Sequence, residues 1–186
     1  MGTLTITGGT LRSRRVPTPS GRAVRPTPSK VKEALFSILG PRLEAARVLD
    51  LFAGSGALGF ESLSRGAAHV TFVERHRPTA AALRAAAREL GVDAQVAVIA
   101  APAERAAHAL DGRYDLVFAD PPYTQPYPAG AFAALRAHRA IDAATTVVYE
   151  HSSREAAPAD PAMTLERAER YGEVALAFLR PVEEAA

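Results

Sequence analysis

The sequence predicts an α/β fold: a mostly parallel sheet covered on both faces by helices, ending in an antiparallel hairpin and preceded by a short N-terminal β-hairpin arm. Three observations predict it. From Arg47 onward, short apolar runs alternate with helix-like stretches, the rhythm of βαβ units. A glycine-rich turn, residues 53–59, joins the first apolar run to the first of those helices. The last two strand-like runs, Thr164–Arg170 and Val174–Leu179, are separated by Tyr171-Gly172, which suits a hairpin and leaves no room for a crossover helix.

Taken in order, Leu4-Thr5-Ile6-Thr7 alternates, Gly8-Gly9 marks a turn and a basic run returns to Val16, the pattern of a hairpin. Pro17, Pro19, Pro26 and Pro28 then stiffen a linker. A helix follows: Thr27 can cap it, Pro28 suits its first position, Val31, Leu35, Ile38 and Leu39 share one face, and Gly40-Pro41 stops it. Strands are expected at Val48–Leu51, His69–Val73, Gln95–Ile99, Tyr114–Ala119 and Thr145–Glu150. Helices are expected at Ala57–Arg65, Thr79–Leu90, Ala103–Leu110 and Ala131–Ala140.

The length fits one domain of ordinary size, and 48% hydrophobic residues allow one sizeable core. No apolar run is long enough to span a bilayer, and Met1 to Arg15 lacks the apolar centre of a signal peptide, so a cytoplasmic protein is the default. Cysteine is absent, which excludes disulfides and thiolate metal sites; the five histidines form no metal-ligand pattern, so no metal is expected. Residues 1–32 carry seven basic side chains and no acid, leaving fifteen basic against 20 acidic residues in the rest. A basic arm on an acidic body points to an anionic polymer as partner, although a solvated tail would read the same way.

Asp50-Leu51-Phe52-Ala53-Gly54-Ser55-Gly56-Ala57-Leu58-Gly59 connects a strand to a helix. Its glycines permit a tight turn and close backbone approach to a ligand, and the helix start behind them presents free N–H groups. Glu74 ends the next strand, twenty residues after Gly54, where a carboxylate can accept hydrogen bonds from both hydroxyls of a ribose. Asp50, Phe52, Ala53, Gly54, Ser55, Gly56 and Glu74 are thus candidates to hold an adenosine-containing cofactor. The same glycines fit a dinucleotide site, so NAD is the formal rival. S-adenosylmethionine is favoured because Asp50 can face a cationic amino group, where a pyrophosphate would be repelled, and because the chain ends in a hairpin.

Asp120-Pro121-Pro122-Tyr123 directly follows the fourth strand of the sheet, on the edge where parallel sheets bind ligands. An exocyclic amine is a poor nucleophile because its lone pair is delocalised. Accepting both of its hydrogens pulls the nitrogen toward tetrahedral geometry. The Asp120 carboxylate is one acceptor and the Pro121 carbonyl the other; Pro122 fixes φ and aims that carbonyl. Tyr123 offers a flat face for a base, about 1–3 kcal/mol of stacking. Guanine, with its N2 amine beside the N1–H, suits a carboxylate better than adenine does.

The chain resembles the bacterial RsmD family, which methylates guanine N2 in 16S ribosomal RNA. The resemblance rests on Ile6-Thr7-Gly8-Gly9, on Arg25-Pro26-Thr27 with Val31-Lys32-Glu33-Ala34-Leu35-Phe36, on the glycine loop, on Glu61, Ser64-Arg65-Gly66-Ala67 and Glu74, and on Asp120-Pro121-Pro122-Tyr123. It implies a Rossmann-like class I methyltransferase sheet of seven strands using S-adenosylmethionine. It further implies residues 1–26 as an RNA-binding arm, residues 27–186 as the methyltransferase domain, and 16S rRNA as partner, alone or within a small-subunit assembly particle; a monomer is expected. Family members often carry Asp or Asn near the adenine after the third strand. Here that stretch is Ala100-Ala101-Pro102-Ala103, so Ala101 would contact adenine through backbone and apolar groups only. Arg12, Arg14, Arg15, Arg22, Arg25, Thr27 and Lys30 are the candidate RNA contacts. Adenine-N6 or protein-glutamine methylation, an NAD-binding oxidoreductase and a non-catalytic assembly factor stay open as alternatives.

Overall fold

The computed structural model describes residues 2–18, 28–122 and 125–183. The arm is an antiparallel pair, β1 (Gly2–Thr5) and β2 (Arg15–Thr18), with Leu4 opposite Val16. Helix α1 (Ser29–Leu39) leads through a short 3-10 segment into β3 (Arg47–Asp50), α2 (Ala57–Ser64), β4 (His69–Val73), α3 (Arg77–Leu90) and β5 (Val96–Ile99). Then come α4 (Ala103–Ala106), β6 (Leu116–Ala119), α5 (Ala129–Ala137), β7 (Thr146–Ser152), β8 (Met163–Tyr171) and β9 (Val174–Pro181). The main sheet has seven strands in the order β5-β4-β3-β6-β7-β9-β8. It is parallel from β5 to β7; β9 inserts antiparallel between β7 and β8. The β8–β9 pairing is interrupted by a bulge between Leu165 and Arg167. Among the described residues, no helix is long and apolar enough to cross a membrane.

Side chains alternate across each strand, so the sheet has two apolar faces. Val48, Val70, Phe72, Leu116, Phe118, Val148, Leu176 and Phe178 enter one core with Val31, Leu35 and Phe36 of α1, Leu58 and Phe60 of α2, and Leu83 of α3. Leu49, Val73, Val117, Ala119, Val147, Tyr149, Ala177 and Leu179 pack on the other side with Ala103 and Ala106 of α4 and Phe132 and Leu135 of α5. The first layer requires a close approach of α2 to the sheet: a Cβ on Gly59 would stand 2.1 Å from the Phe72 ring.

Several elements differ from the sequence expectation. Thr27 lies outside the described residues, and Pro28 takes the cap position of α1 rather than its first turn; its carbonyl receives the N–H groups of Val31 and Lys32. The expected 103–110 helix is a single α-turn followed by a 3-10 turn at Ala107–Ala109. The fourth strand starts at Leu116 because the Tyr114 N–H is taken by the Ala140 carbonyl. β7 runs on to Ser152, where it still has β9 to pair with.

The arm is part of the domain's packing. Ile6 and Val16 are both 1% exposed and belong to the α1–α3 core. Between the strands, the chain bends onto the last turn of α2: Thr10 N–H donates to the Ser64 carbonyl (2.7 Å) and Leu11 N–H to Ser64 Oγ (2.9 Å). Gly9 has φ +76°, and a Cβ there would sit 1.7 Å from the Ser64 carbonyl oxygen.

Candidate active site

Strand β3 delivers the glycine loop to the C-terminal edge of the sheet, at the point where strand order reverses between β3 and β6. Gly54 (φ +51°) and Gly56 (φ +77°) both adopt left-handed backbone, which a residue with a Cβ enters only under strain. Neighbouring strand ends are laced together there: Leu51 N–H donates to the Phe118 carbonyl, Ala53 N–H to Val73, and Glu74 N–H to Ile99. Phe52, Gly54, Ser55 and Ala101 are half-buried along this edge and Ala53 is buried.

Two candidate cofactor residues already have work in the structure. Glu74 Oε2 accepts the Gly54 N–H (3.0 Å) and Oε1 accepts the His76 N–H (2.7 Å). Each carboxylate oxygen keeps a second lone pair, so ribose hydroxyls would be received by a carboxylate whose orientation is already fixed. Asp50, 3% exposed, accepts the Gly59 N–H through Oδ2 (3.1 Å). It thereby caps α2 from the strand below, which the sequence reading missed; Gly56, at the cap position, has no side chain to do so. Burial pushes the Asp50 carboxyl up to about 7, against the Gly59 hydrogen bond, which lowers it; the charge of Glu74 adds to the rise.

Asp120 follows β6 directly, and Asp50, Asp120 and Glu150 continue the alternation of Val48, Phe118 and Val148 on the α1–α3 face. Asp120 is held well above the usual carboxylate range, by burial first and then by the charges of Glu150 and Asp50. Among the described residues no cation pairs with Asp50 or Asp120. Pro121 is buried and Pro122 exposed; Pro122 O receives the Gln125 N–H (2.8 Å), turning the loop after the two prolines. Tyr123 lies outside the described residues. Beyond it, Tyr127 packs edge-on against Tyr149 (5.2 Å between centroids, 88°) and beside Phe132 (5.4 Å). These rings fasten the return of the loop after Asp120 to β7 and α5, a contact absent from the sequence reading.

A family model described as Conserved hypothetical protein 95 matches residues 4–180. The chain belongs to this family, the RsmD family. The protein named "Putative rRNA methyltransferase YlbH" of Bacillus subtilis is 33% identical over 181 residues, covering 94% of this chain and 97% of that protein. The "Ribosomal RNA small subunit methyltransferase D" of Escherichia coli K12 is 49% identical over 76 residues, 41% of this chain and 38% of that protein. Among solved structures, "Putative methyltransferase yhhF from Escherichia coli" superposes with a TM-score of 0.86 at 31% identity, covering 98% of this chain and 100% of that one.

The geometry gives the N-terminal RsmD motif residues a shared task. Glu61, fully buried, accepts the Thr7 N–H (2.9 Å), the Thr7 hydroxyl (2.7 Å) and the Arg65 guanidinium (2.8 Å). Lys32, 3% exposed, lies 3.8 Å from Glu61 and donates to the Thr5 carbonyl (3.1 Å). Burial pulls the Lys32 ammonium below its usual value, with Glu61 opposing. Ile6-Thr7-Gly8-Gly9, Lys32, Glu61 and Ser64-Arg65 are therefore one docking joint.

That joint sits at the edge opposite the Asp120 loop. Gly66 and Ala68, just past α2, bond to Ala45 and Ala46 at the start of β3. Arg12, Arg14 and Arg15 are exposed on this arm, and Arg14 Nη2 donates to the Glu89 carbonyl (2.9 Å) at the end of α3. Lys30 is exposed in the first turn of α1; Arg22, Arg25 and Thr27 lie outside the described residues. Of the candidate RNA residues that can be placed, three thus lie on the docked arm and Lys30 lies on α1, two residues before Lys32 of the joint. Among the described residues, no group of three or more acids and histidines could hold a metal ion.

Proposed function

We propose that this protein transfers the methyl group of S-adenosylmethionine to the exocyclic N2 of a guanine in 16S ribosomal RNA. Membership of the RsmD family and the rRNA methyltransferase names of its relatives support the coarser statement, that the chain is an S-adenosylmethionine-dependent rRNA methyltransferase. The observation that carries the finer reading is the position of Asp120: on the same edge and face as the cofactor-loop residue Asp50, with no cation among the described residues to neutralise either.

The residues present fit the cofactor. The left-handed glycines leave backbone where a side chain would intrude, the Glu74 carboxylate is held by two backbone N–H groups with lone pairs to spare for a ribose, and half-buried Ala101 would meet adenine through backbone and apolar contact only. When bound, S-adenosylmethionine supplies an electrophilic methyl on a cationic sulfur. A positive ligand beside Asp50 and Asp120 favours their ionised forms, so Asp120 is an acceptor when it is needed. Asp120 takes a hydrogen bond from one N2 hydrogen and can also take one from N1–H, while the Pro121 carbonyl receives the other N2 hydrogen. This localises the nitrogen lone pair and aims it. Tyr123 stacks on the base. In this reading residues 1–26 contact RNA and residues 27–186 perform the chemistry, in the cytoplasm.

Isothermal titration with S-adenosylmethionine and with NAD tests the cofactor; saturable binding of NAD alone would end the proposal. Mass spectrometry of 16S rRNA from cells with and without the gene tests the product. One N2-methylguanine should disappear with the gene, and an unchanged methylation profile would refute the assignment.

A further inference from the structure

Helix α3 carries an unassigned row of cations. Arg77, Arg84 and Arg88 are all exposed. Their spacing of seven and then four residues puts them within about 40° of one another around the helix axis, along roughly 16 Å of its length. The single acid of α3, Glu89, lies about 100° round the axis from Arg88. Arg77 and Arg88 have no ion-pair or hydrogen-bond partner among the described residues. Arg84 spends one N–H on the Val98 carbonyl (2.6 Å) and keeps its charge exposed.

The row has defined ends. Arg77 stands three residues after Glu74, at the cofactor edge. At the opposite edge α3 meets the arm: β2 packs on it, and Arg14 is tied to the Glu89 carbonyl one residue past Arg88. Arg14 and Arg15, both exposed, therefore continue the row onto the arm. The α4–α5 side is mixed by contrast, with Arg113 paired to Asp115 and Asp142. On β8, Arg167 is paired with Glu169.

We propose that Arg77, Arg84 and Arg88, continued by Arg14 and Arg15, form a phosphate track that holds the backbone of the substrate RNA between the arm and the cofactor edge. This rests on the rRNA methyltransferase reading above and extends it. A row of exposed guanidiniums with no acid partner among the described residues suits a polyanion with regularly spaced charges, because each contact releases counterions without requiring a base-specific fit. The track also gives the arm, whose docked turn stands at the far edge, a physical connection to the reaction.

The test is the salt dependence of binding to protein-free 16S rRNA transcript, with wild type and the double variant Arg77→Gln/Arg88→Gln, which leaves the Arg84 anchor in place. Each lost phosphate contact should flatten the slope of log K against log salt by about 0.7–0.9. The double variant should therefore lose about 1.4–1.8 of slope and bind roughly 30-fold more weakly at 0.1 M salt. Its S-adenosylmethionine affinity and Tm should match wild type. Arg105→Gln/Arg139→Gln, on the α4–α5 side, should keep the wild-type slope. A wild-type slope in the α3 variant overturns the track and leaves the methyltransferase reading standing. Failure of the wild-type chain to bind either the transcript or small-subunit particles would remove both. Weakened binding to small-subunit particles with unchanged binding to the transcript would assign the row to a ribosomal protein and overturn the proposal.

Discussion

Two buried carboxylates touch α2, and they have opposite surroundings. Glu61, in its second half, meets two cations and two donors from Thr7. Asp50, beneath its first turn, receives the Gly59 N–H and otherwise faces the charges of Glu74 and Asp120. One charge is satisfied within the chain; the other belongs to a group of acids that no cation among the described residues neutralises. Burying charge is tolerated where partners are supplied. The first arrangement therefore fixes the arm, and the second is the edge where the proposed cofactor, a cation, would sit.

The largest effect should come from breaking the satisfied end. Glu61→Ala leaves Lys32 buried without its counter-charge and the Thr7 donors unpaired, at a cost of about 3–5 kcal/mol. For a chain of this size that corresponds to a Tm lower by roughly 6–20 °C, read by calorimetry. A Tm within a degree of wild type would mean that the joint contributes little. At the other end, Asp120→Ala should leave stability and S-adenosylmethionine affinity intact while methyl transfer falls by about 10²–10³-fold. Single-turnover rates with saturating rRNA check this, and an unimpaired variant would remove Asp120 from the chemistry.

The smallest effect sharpens the contrast through pH. The folded-state pKa of Asp50, about 7, lies above its ordinary value, so the folded protein holds a proton that the unfolded chain releases. Its contribution is therefore a penalty, absent below about pH 4, growing as pH rises through 7 and constant above that. Asp50→Asn removes it. The Tm of the variant relative to wild type should rise between pH 5 and pH 8; a pH-independent difference would show that Asp50 is not the group responsible.

Much of this was legible beforehand. The strand at His69–Val73 matches residue for residue, because strict boundaries come from glycine and charge on either side. Asp120 and the glycine loop fell on one edge because the parallel βα rhythm forces it. What escaped were pairings across distance. Lys32 and Glu61 read as ordinary motif residues, one on a helix face and one mid-helix; only docking of the arm brings them within 3.8 Å. Asp50 reads equally well as a ligand contact or as a helix cap, since nothing local says which way its carboxylate turns. The arm reads from its charge as an RNA-binding element, and nothing in that pattern shows that Ile6 and Val16 are buried in the α1–α3 core, so that removing it would also open the core.

The terminal strand β8 bears on how the molecule meets its own copies. It closes one side of the sheet, and its backbone would otherwise offer open hydrogen-bonding groups to any extended peptide. Its register slips between Leu165 and Arg167, and charged Glu166, Arg167, Glu169 and Arg170 crowd the same stretch. A bent, charge-studded border is a poor template for strand addition, so the exposed side of this sheet resists fibril-like growth while its interior stays rich in apolar β-formers.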